Sequence, residues 1–324
     1  MRYGKIFIGW MIVMVSLMGV GSSLQAQSDY PNRPVTLQVP FPPGGSTDVG
    51  ARIVATIAEK ELGQPLVVVN KAGAGGQVGW TELARQKPDG YYLGYINLPH
   101  LLTAILDPER KATFKAEDIQ PIISQALDPT TVSVRPDSPW KTLKDLIEDA
   151  KKKPGEIRAG IVGYLQDDEI GYLQLAEAGG FRMRLVYFDG AAPAITALLG
   201  NHVDVLFCTV ADNYTQWKAG RIRMLTIMDK ERSKFYPDLP TTAELGFPTV
   251  LSASTRGIAG PKGIPPAIMK KLEAVFKKAM ETKEHMEKLE SAGQPVKIML
   301  SEEFTKYYWE SYKVAKKWVE QVRK

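Results

Sequence analysis

Residues 43–48, Pro-Gly-Gly-Ser-Thr-Asp, place two glycines and two hydroxyl side chains directly before a predicted helix. The first amide N–H groups of a helix have no partner inside the helix and lie at its positive end, so an anion binds well there. Gly44 and Gly45 let the backbone approach a ligand closely, while Ser46 and Thr47 can donate hydroxyl hydrogen bonds and Asp48 completes the segment. Binding of a small anion is one interpretation. A tight turn capped by Ser46 or Thr47, without a ligand, is the other.

Two further loops carry the same chemistry. Residues 73–76 are rich in glycine, and Gly190, Ala191 and Ala192 leave the backbone accessible before Pro193. Ligands of open α/β sheets bind outside the carboxyl ends of the strands, so these loops are expected to gather around one site. The alternative for each loop is close packing of a helix against the sheet.

Two polar residues follow predicted strand ends, Asn97 and Asp212. Both are candidate ligand contacts, although local capping of a turn explains them equally well.

The segments that position these loops alternate between short β-rich runs and helical patterns, which indicates an α/β fold with parallel sheets. Val35, Leu37, Val39 and Phe41 alternate as the first strand, and Gly63 ends the helix that follows the first loop. Strands are further predicted at residues 66–69, 91–96, 131–135, 157–162, 183–187, 203–208 and 222–228. Helices are predicted at residues 77–85, 143–152, 170–177, 194–199 and 213–218.

Two helices close the chain, with apolar stripes that include Ile268 to Ala279 and Phe304 to Val322. Their spacing of three and four residues is typical of packing faces. The aromatic residues 307–309 therefore receive no ligand role.

The N-terminus has the layout of a secretory signal peptide, with Arg2 and Lys5 before an apolar run and small residues up to Ala26. We expect cleavage after Ala26 and a periplasmic mature chain. That chain has 39 basic and 36 acidic residues, a net charge of +3. No nucleic-acid partner is indicated, because the basic residues are interspersed with acidic ones.

Metal, cofactor and disulfide chemistry have no support in the sequence. Cys208 is the lone cysteine and is predicted to be a buried structural thiol, while His100, His202 and His285 lie far apart. The mature chain of about 298 residues exceeds what one core usually serves, so two lobes are expected.

The order of motifs resembles the substrate-binding receptors of tripartite tricarboxylate transporters, the Bug or TctC-type proteins. The resemblance covers essentially all of the mature chain. It is carried by Phe41–Asp48, Asn70–Gly76, Pro88–Tyr91, Tyr187–Ala194, Asp238–Thr241 and Gly257–Pro261.

The resemblance implies a periplasmic-binding-protein (Venus flytrap) fold, with two α/β lobes joined by crossing strands that act as a hinge. Lobe 1 would comprise residues 27–128 and 251–324, and lobe 2 residues 129–250. A small organic acid would lie in the cleft, held by the loop at residues 44–48 and by second-lobe loops that include Gly163, Tyr164 and Gln166. The partners would be the membrane subunits of a transporter, the protein is expected to be a monomer, and no cofactor is implied.

The second-lobe loop departs from the family pattern, because Asp167, Asp168 and Glu169 stand where relatives have small donors. These carboxylates either cap the helix, or Asp167 or Asp168 faces the cleft and disfavours a second ligand carboxylate. Phe188-Asp189 also lacks an expected cation. A ligand with an amine, an amide or an aromatic ring would then be preferred over a citrate-like one.

Two other functions stay open. A secreted serine hydrolase would use Ser46 with His100 as base, but the chain lacks a nucleophile elbow around Ser46. A ligand sensor for a signalling partner would use the same closed conformation as a transport receptor.

Overall fold

The computed structural model describes residues 30–324. The predicted signal peptide, residues 1–26, lies outside the described residues. Among the residues described, no helix is long and apolar enough to cross a membrane.

The first lobe is built on three parallel strands. β1 lies between β2 and β3, and its Val35, Leu37 and Val39 side chains are fully buried, as the alternation of residue types predicts. The prediction that Phe41 continues this strand is wrong, because β1 ends at Val39 and the chain turns before Pro42 and Pro43. Each strand leads into a helix, so the loops after the strands lie at one edge of the sheet. The elements are β1 (Val35–Val39), α1 (Ser46–Leu62), β2 (Leu66–Asn70), α2 (Gln77–Ala84), β3 (Tyr92–Leu98) and α3 (His100–Leu106).

The second lobe repeats this arrangement. Its strand β5 pairs in parallel with β6 on one side and with β7 on the other. The predicted buried thiol of Cys208 is confirmed, because this β7 residue is fully buried. The elements are α4 (Leu143–Lys152), β5 (Arg158–Val162), α5 (Asp167–Gly179), β6 (Arg184–Phe188), α6 (Ala191–Leu199), β7 (Val205–Thr209), α7 (Val210–Lys218) and β8 (Arg223–Ile227).

Two crossing strands join the lobes. β4 (Ile119–Val134) and β9 (Ala253–Pro261) pair antiparallel, β9 also pairs with β3, and β4 continues to pair with β7 and β8. The α/β two-lobed fold with crossing strands is thereby confirmed. The whole sheet is mixed, because parallel pairing is confined to the outer strands and every pairing with β4 or β9 is antiparallel.

The chain ends in helices α8 (Pro266–Met280), α9 (Lys283–Ser291) and α10 (Ser301–Val322). Phe304 and Tyr308 of α10 are fully buried in a cluster with first-lobe residues such as Trp80. The prediction that the α10 stripe is a packing face is therefore confirmed.

Candidate functional site

The start of α1 presents backbone amides. Gly45 occupies the N-cap position in an extended conformation, and no side chain caps the helix, so the alternative of a Ser46 or Thr47 cap is wrong. Within residues 30–324, the amides of Gly45, Ser46, Thr47 and Asp48 have no hydrogen-bond acceptor. The glycines face open space, because a Cβ added at Gly44 or Gly45 would meet nothing within 4 Å. The segment can therefore donate several hydrogen bonds to an anion.

Asp48 holds this loop in shape. Its carboxylate accepts hydrogen bonds from the Gly44 amide at 2.9 Å, Arg52 Nε at 3.0 Å and Asn70 Nδ2 at 2.9 Å. Burial raises the pKa of Asp48, but the bonds from Arg52, Gly44 and Asn70 outweigh it and hold the pKa below its usual range. Asp48 therefore positions the amides and has little capacity left for a ligand.

Asn97 connects β3 to the same loop. Its Nδ2 donates to Thr47 Oγ1 at 3.0 Å, whereas its Oδ1 has no partner within the described chain. The first turn of α1 and the end of β3 thus meet through these two side chains, both of which are buried.

The loop after β5 reaches across to the first lobe. The Tyr164 carbonyl accepts from Arg110 Nη2 at 3.1 Å, and the Gln166 side chain lies beside Gly75. Gly163 has a φ of 72°, and any Cβ there would overlap the side chain of Gln166. Glycine at residue 163 therefore allows the loop to fold back on itself.

The three carboxylates at the start of α5 are all buried, and each contacts different partners. Glu169 accepts from the Leu165 amide at 2.5 Å and from the Tyr187 hydroxyl at 2.6 Å, which fixes the loop. Asp168 accepts from Thr130 Oγ1 at 3.2 Å. Asp167 Oδ1 lies 3.3 Å from His100 Nε2 across the lobes, while its Oδ2 has no partner among residues 30–324.

The imidazole of His100, which contacts Asp167, is uncharged at neutral pH. Burial, followed by the charges of Arg256 and Arg110, lowers the pKa of His100 to about 3. Burial also raises the pKa of Asp167 above its ordinary value, and the carboxylates of Asp128 and Asp212 add to that effect while Arg256 opposes it.

The remaining predicted residues lie at the carboxyl ends of β6 and β7. Gly190 has a φ of 154° at the start of α6, and a Cβ there would meet only Pro193, at 4.0 Å. Asp212 Oδ2 accepts from Thr209 Oγ1 at 3.0 Å in the first turn of α7, but no side chain caps the backbone of this helix. No hydrogen bond or ion pair among residues 30–324 joins the loop at residues 44–48 to residues 190–192.

Two residues that the sequence did not single out lie on the crossing strands. Arg256 of β9 donates from Nη2 to Asp128 Oδ2 of β4 at 2.8 Å, and both side chains are buried. Burial raises the pKa of Asp128 to about 6 although Arg256 opposes the shift, so the carboxylate is mainly ionised at neutral pH. A buried arginine on one strand and a carboxylate on another give no local sequence signal.

Comparisons with known proteins are consistent with this geometry. The family model of the tripartite tricarboxylate transporter family receptor matches residues 50–323. A UPF0065 protein of Cupriavidus necator is 33% identical over 308 residues, which are 92% of this chain and 90% of the relative.

Solved structures of related proteins have the same fold. A TctC solute-binding protein from Polaromonas has 30% identity and a TM-score of 0.75, with 90% of this chain and 99% of that chain covered. MatC from Rhodopseudomonas palustris, solved with bound malate, has 26% identity and a TM-score of 0.79, with 90% and 100% covered.

Proposed function

This chain belongs to the tripartite tricarboxylate transporter receptor family, and from that premise we propose that it is an extracytoplasmic receptor for a small carboxylate-bearing ligand. It captures the ligand in a cleft between its lobes, delivers it to the membrane subunits of a transporter and performs no chemistry on it. The observation that carries the proposal is the set of unpaired amides at the start of α1, held open by Asp48. Malate in the related MatC is a ligand of this class.

The lobes of the proposed receptor are residues 27–128 with 251–324, and residues 129–250. The strand β4 changes its neighbouring strand at this division, which supports it. Asp128 and Pro129 of β4 still pair with β9, whereas residues from Thr130 onward pair with β7. A rotation about this point would open and close the cleft.

The ligand lies in contact with residues from both lobes. Gly44, Gly45, Ser46 and Thr47 donate from one side, and Gly163, Tyr164, Gln166 and Gly190 to Ala192 line the other. Asn97 of the first lobe and Asp212 of the second complete the proposed site. Residues from both lobes are needed, so binding favours the closed conformation.

A hydrolytic role for Ser46 and His100 is disfavoured by the environment of the histidine. His100 is buried, its pKa is lowered to about 3, and its Nε2 contacts Asp167. A base with so low a pKa accepts a proton poorly at neutral pH.

In this proposal residues 1–26 direct export to the periplasm, where the mature protein acts as a monomer. Its partners are the organic acid and the membrane subunits of the transporter. It has no nucleic-acid partner.

The proposal is tested by thermal unfolding of the mature chain, beginning at Gln27, with a panel of mono-, di- and tricarboxylates and amino acids. A ligand at 100 times its Kd adds about 2.7 kcal/mol to the free energy of unfolding. We expect at least one carboxylate to raise the Tm and to be recovered unchanged, while uncharged analogues such as the methyl esters do not. A panel in which no carboxylate raises the Tm contradicts the proposal.

A further inference from the structure

A cluster of charged side chains in the first lobe contacts the loop after β5 in the second. Arg323, the C-cap residue of α10, donates from Nε and Nη2 to the two carboxylate oxygens of Asp107, at 3.0 and 2.8 Å. Asp107 is the C-cap residue of α3 and is only 1% exposed, so this bidentate pair fixes the end of α10 to the end of α3. Arg323 Nη1 also lies 2.6 Å from Glu109 Oε1. The guanidinium is thus held by two carboxylates of its own lobe.

Arg110 supplies another cation to this cluster. Its Nε lies 3.9 Å from Asp107 Oδ2, and its side chain is only 17% exposed. The Arg110 carbonyl accepts from Gln77 Nε2 at 2.9 Å, which ties the residue to the start of α2. Groups of the first lobe therefore position both guanidinium groups without help from the second lobe.

Both guanidinium groups contact Tyr164 of the second lobe. Arg110 Nη2 donates to the Tyr164 carbonyl at 3.1 Å, and the guanidinium carbon of Arg323 lies 5.4 Å from the centre of the Tyr164 ring. A guanidinium within about 6 Å of an aromatic ring is attracted to its electron-rich face. One residue of the second lobe is thus bound, by its main chain and its side chain, to two arginines of the first.

The loop that carries Tyr164 is shaped by its own lobe. Leu165 is fully buried and has a φ of 54°, a left-handed conformation that residues other than glycine rarely adopt. Glu169 holds this conformation by accepting from the Leu165 amide, and the Tyr164 ring packs edge-on against Tyr187, with ring centres 5.5 Å apart. Because both sides of the contact are already ordered, little of its strength is lost in immobilising side chains when the lobes meet.

Another ion pair between the lobes is more open to solvent. Lys234 Nζ lies 3.4 Å from Glu290 Oε1, but the two side chains are 61% and 55% exposed. Exposed pairs contribute little to stability, because water and salt screen them. The contacts of Tyr164 are better shielded, since the Arg110 and Arg323 side chains are only 17% and 24% exposed. We therefore expect the Tyr164 contacts to contribute more to holding the lobes together.

We propose that Asp107, Arg110, Tyr164 and Arg323 form a latch that holds the two lobes closed when no ligand is bound. The latch rests on the two-lobed receptor function proposed above and adds a conformational preference to it. Arg110 and Arg323 act as positioning residues, because they place the second-lobe loop against the first lobe. A receptor that already populates its closed conformation binds more tightly, since the apparent Kd falls in proportion to the competent fraction.

Distances between spin labels on the two lobes test the latch. β2 and β6 are the outermost strands of the sheet, so a rotation about the crossing strands moves them furthest. Val67→Cys in β2 and Arg184→Cys in β6 provide exposed labelling sites, whereas Cys208 is fully buried. The mature protein is unfolded and refolded to remove any ligand carried through purification. Double electron–electron resonance then gives the ratio of molecules at the closed distance, which this structure defines, to molecules at longer distances.

We expect the closed distance to predominate in the labelled protein without ligand. Arg110→Met should lower the closed-to-open ratio about tenfold, because it removes a hydrogen bond from a charged group. Tyr164→Leu added to this variant should lower the ratio further, since it removes the ring and keeps the carbonyl. Arg85→Met is the matched control, because Arg85 Nη2 donates to Thr113 Oγ1 within the first lobe at 3.0 Å, and it should leave the ratio unchanged.

A ligand-free protein without a population at the closed distance overturns the latch, and this result does not depend on how any variant folds. A folded Arg110→Met/Tyr164→Leu variant with an unchanged distance distribution overturns it equally, as does a fall in Arg85→Met as large as that in Arg110→Met. These results would leave the receptor function intact, because that function is judged by the response of the Tm to carboxylates. A protein that binds no carboxylate but keeps the closed distance would instead retain the latch and lose the receptor function.

Discussion

Arg256 Nη2 lies 2.8 Å from Asp128 Oδ2, and this bond joins β9 to β4 at the point where both strands pass from one lobe to the other. The exposed fractions of the two side chains are 3% and 0%. Asp128 also accepts from the Ala211 amide at 3.1 Å, so the pair reaches the first turn of α7. A buried ion pair thus connects the two crossing strands to helix α7.

Removal of the Arg256 cation should destabilise the protein strongly. We expect Arg256→Met to lower the free energy of unfolding at pH 8 by about 3–5 kcal/mol, because a buried carboxylate loses its partner. Asp128→Asn added to this variant should recover much of the loss, since the amide oxygen can still accept from Ala211. Urea unfolding of the single and double variants measures both values. A double variant no more stable than Arg256→Met would show that the unpaired charge is not the cause.

Asp167 should make stability depend on pH in a defined direction. Burial raises its pKa above the ordinary value of 3.8, so the folded state keeps its proton to higher pH than the unfolded chain does. The contribution of Asp167 to the free energy of unfolding therefore falls as the pH rises above about 4. The groups facing it are Asp128, Asp168, Asp212, Arg256, His100 and Tyr307.

Because asparagine does not ionise, Asp167→Asn should be more stable relative to the wild type at pH 8 than at pH 5. Urea unfolding at the two pH values gives this difference directly. Asp137→Asn, at a side chain that is 79% exposed, serves as the control for the substitution itself. A difference that shrinks towards pH 8 would mean that the pKa of Asp167 is not raised in the folded protein.

Gly163 should tolerate alanine less well than a glycine of similar conformation elsewhere. Gly163 and Gly220 have φ values of 72° and 68°, but a Cβ at Gly163 would overlap Gln166, whereas one at Gly220 would meet nothing within 4 Å. Gly220→Ala should cost only the left-handed backbone penalty of about 1–2 kcal/mol. Gly163→Ala should cost more and should also weaken ligand binding. Equal losses of stability in the two variants, measured by thermal unfolding, would indicate that the contact with Gln166 is unimportant.

Elements with regular patterns were predictable from the sequence. The alternating Val35, Leu37 and Val39 became β1, and Gly63 ends α1 in the left-handed conformation, with a φ of 73°. The order of the loops also predicted the family and its two-lobed fold. These features depend on local periodicity and backbone geometry, which neighbouring residues encode.

The crossing strands were harder to predict because their sequences break the strand pattern. Only residues 131–135 were predicted as a strand, whereas β4 begins at Ile119 and contains Pro121 and Pro129. The ladder accommodates Pro121 beside a register shift, and Pro129 lies where β4 changes partners. β9 was not predicted at all, since its glycines and Arg256 are unusual in a strand interior.

The candidate site was predictable in its backbone but not in its side chains. The sequence indicated the amides of residues 44–48. It did not indicate that the Asp48 carboxylate accepts hydrogen bonds from Gly44, Arg52 and Asn70. The buried pair of Asp128 and Arg256 likewise joins residues that are 128 positions apart. Such pairs form only when the two lobes and the crossing strands are assembled.

Ser46→Pro tests the role of the free α1 amides most directly. Ser46 is the first residue of α1, where proline suits the helix, and the extended conformation of Gly45 suits the residue before a proline. The substitution therefore removes one amide donor and one hydroxyl while keeping the fold. Ser46→Ala, which removes only the hydroxyl, is the matched control.

The decisive measurement is calorimetric titration of both variants and the wild type with the carboxylate that raises the Tm most. A hydrogen bond to a charged group contributes about 1.5–3 kcal/mol, so Ser46→Pro should weaken binding roughly tenfold or more, and Ser46→Ala much less. Wild-type affinity in a folded Ser46→Pro variant would show that the carboxylate is not held by this end of α1.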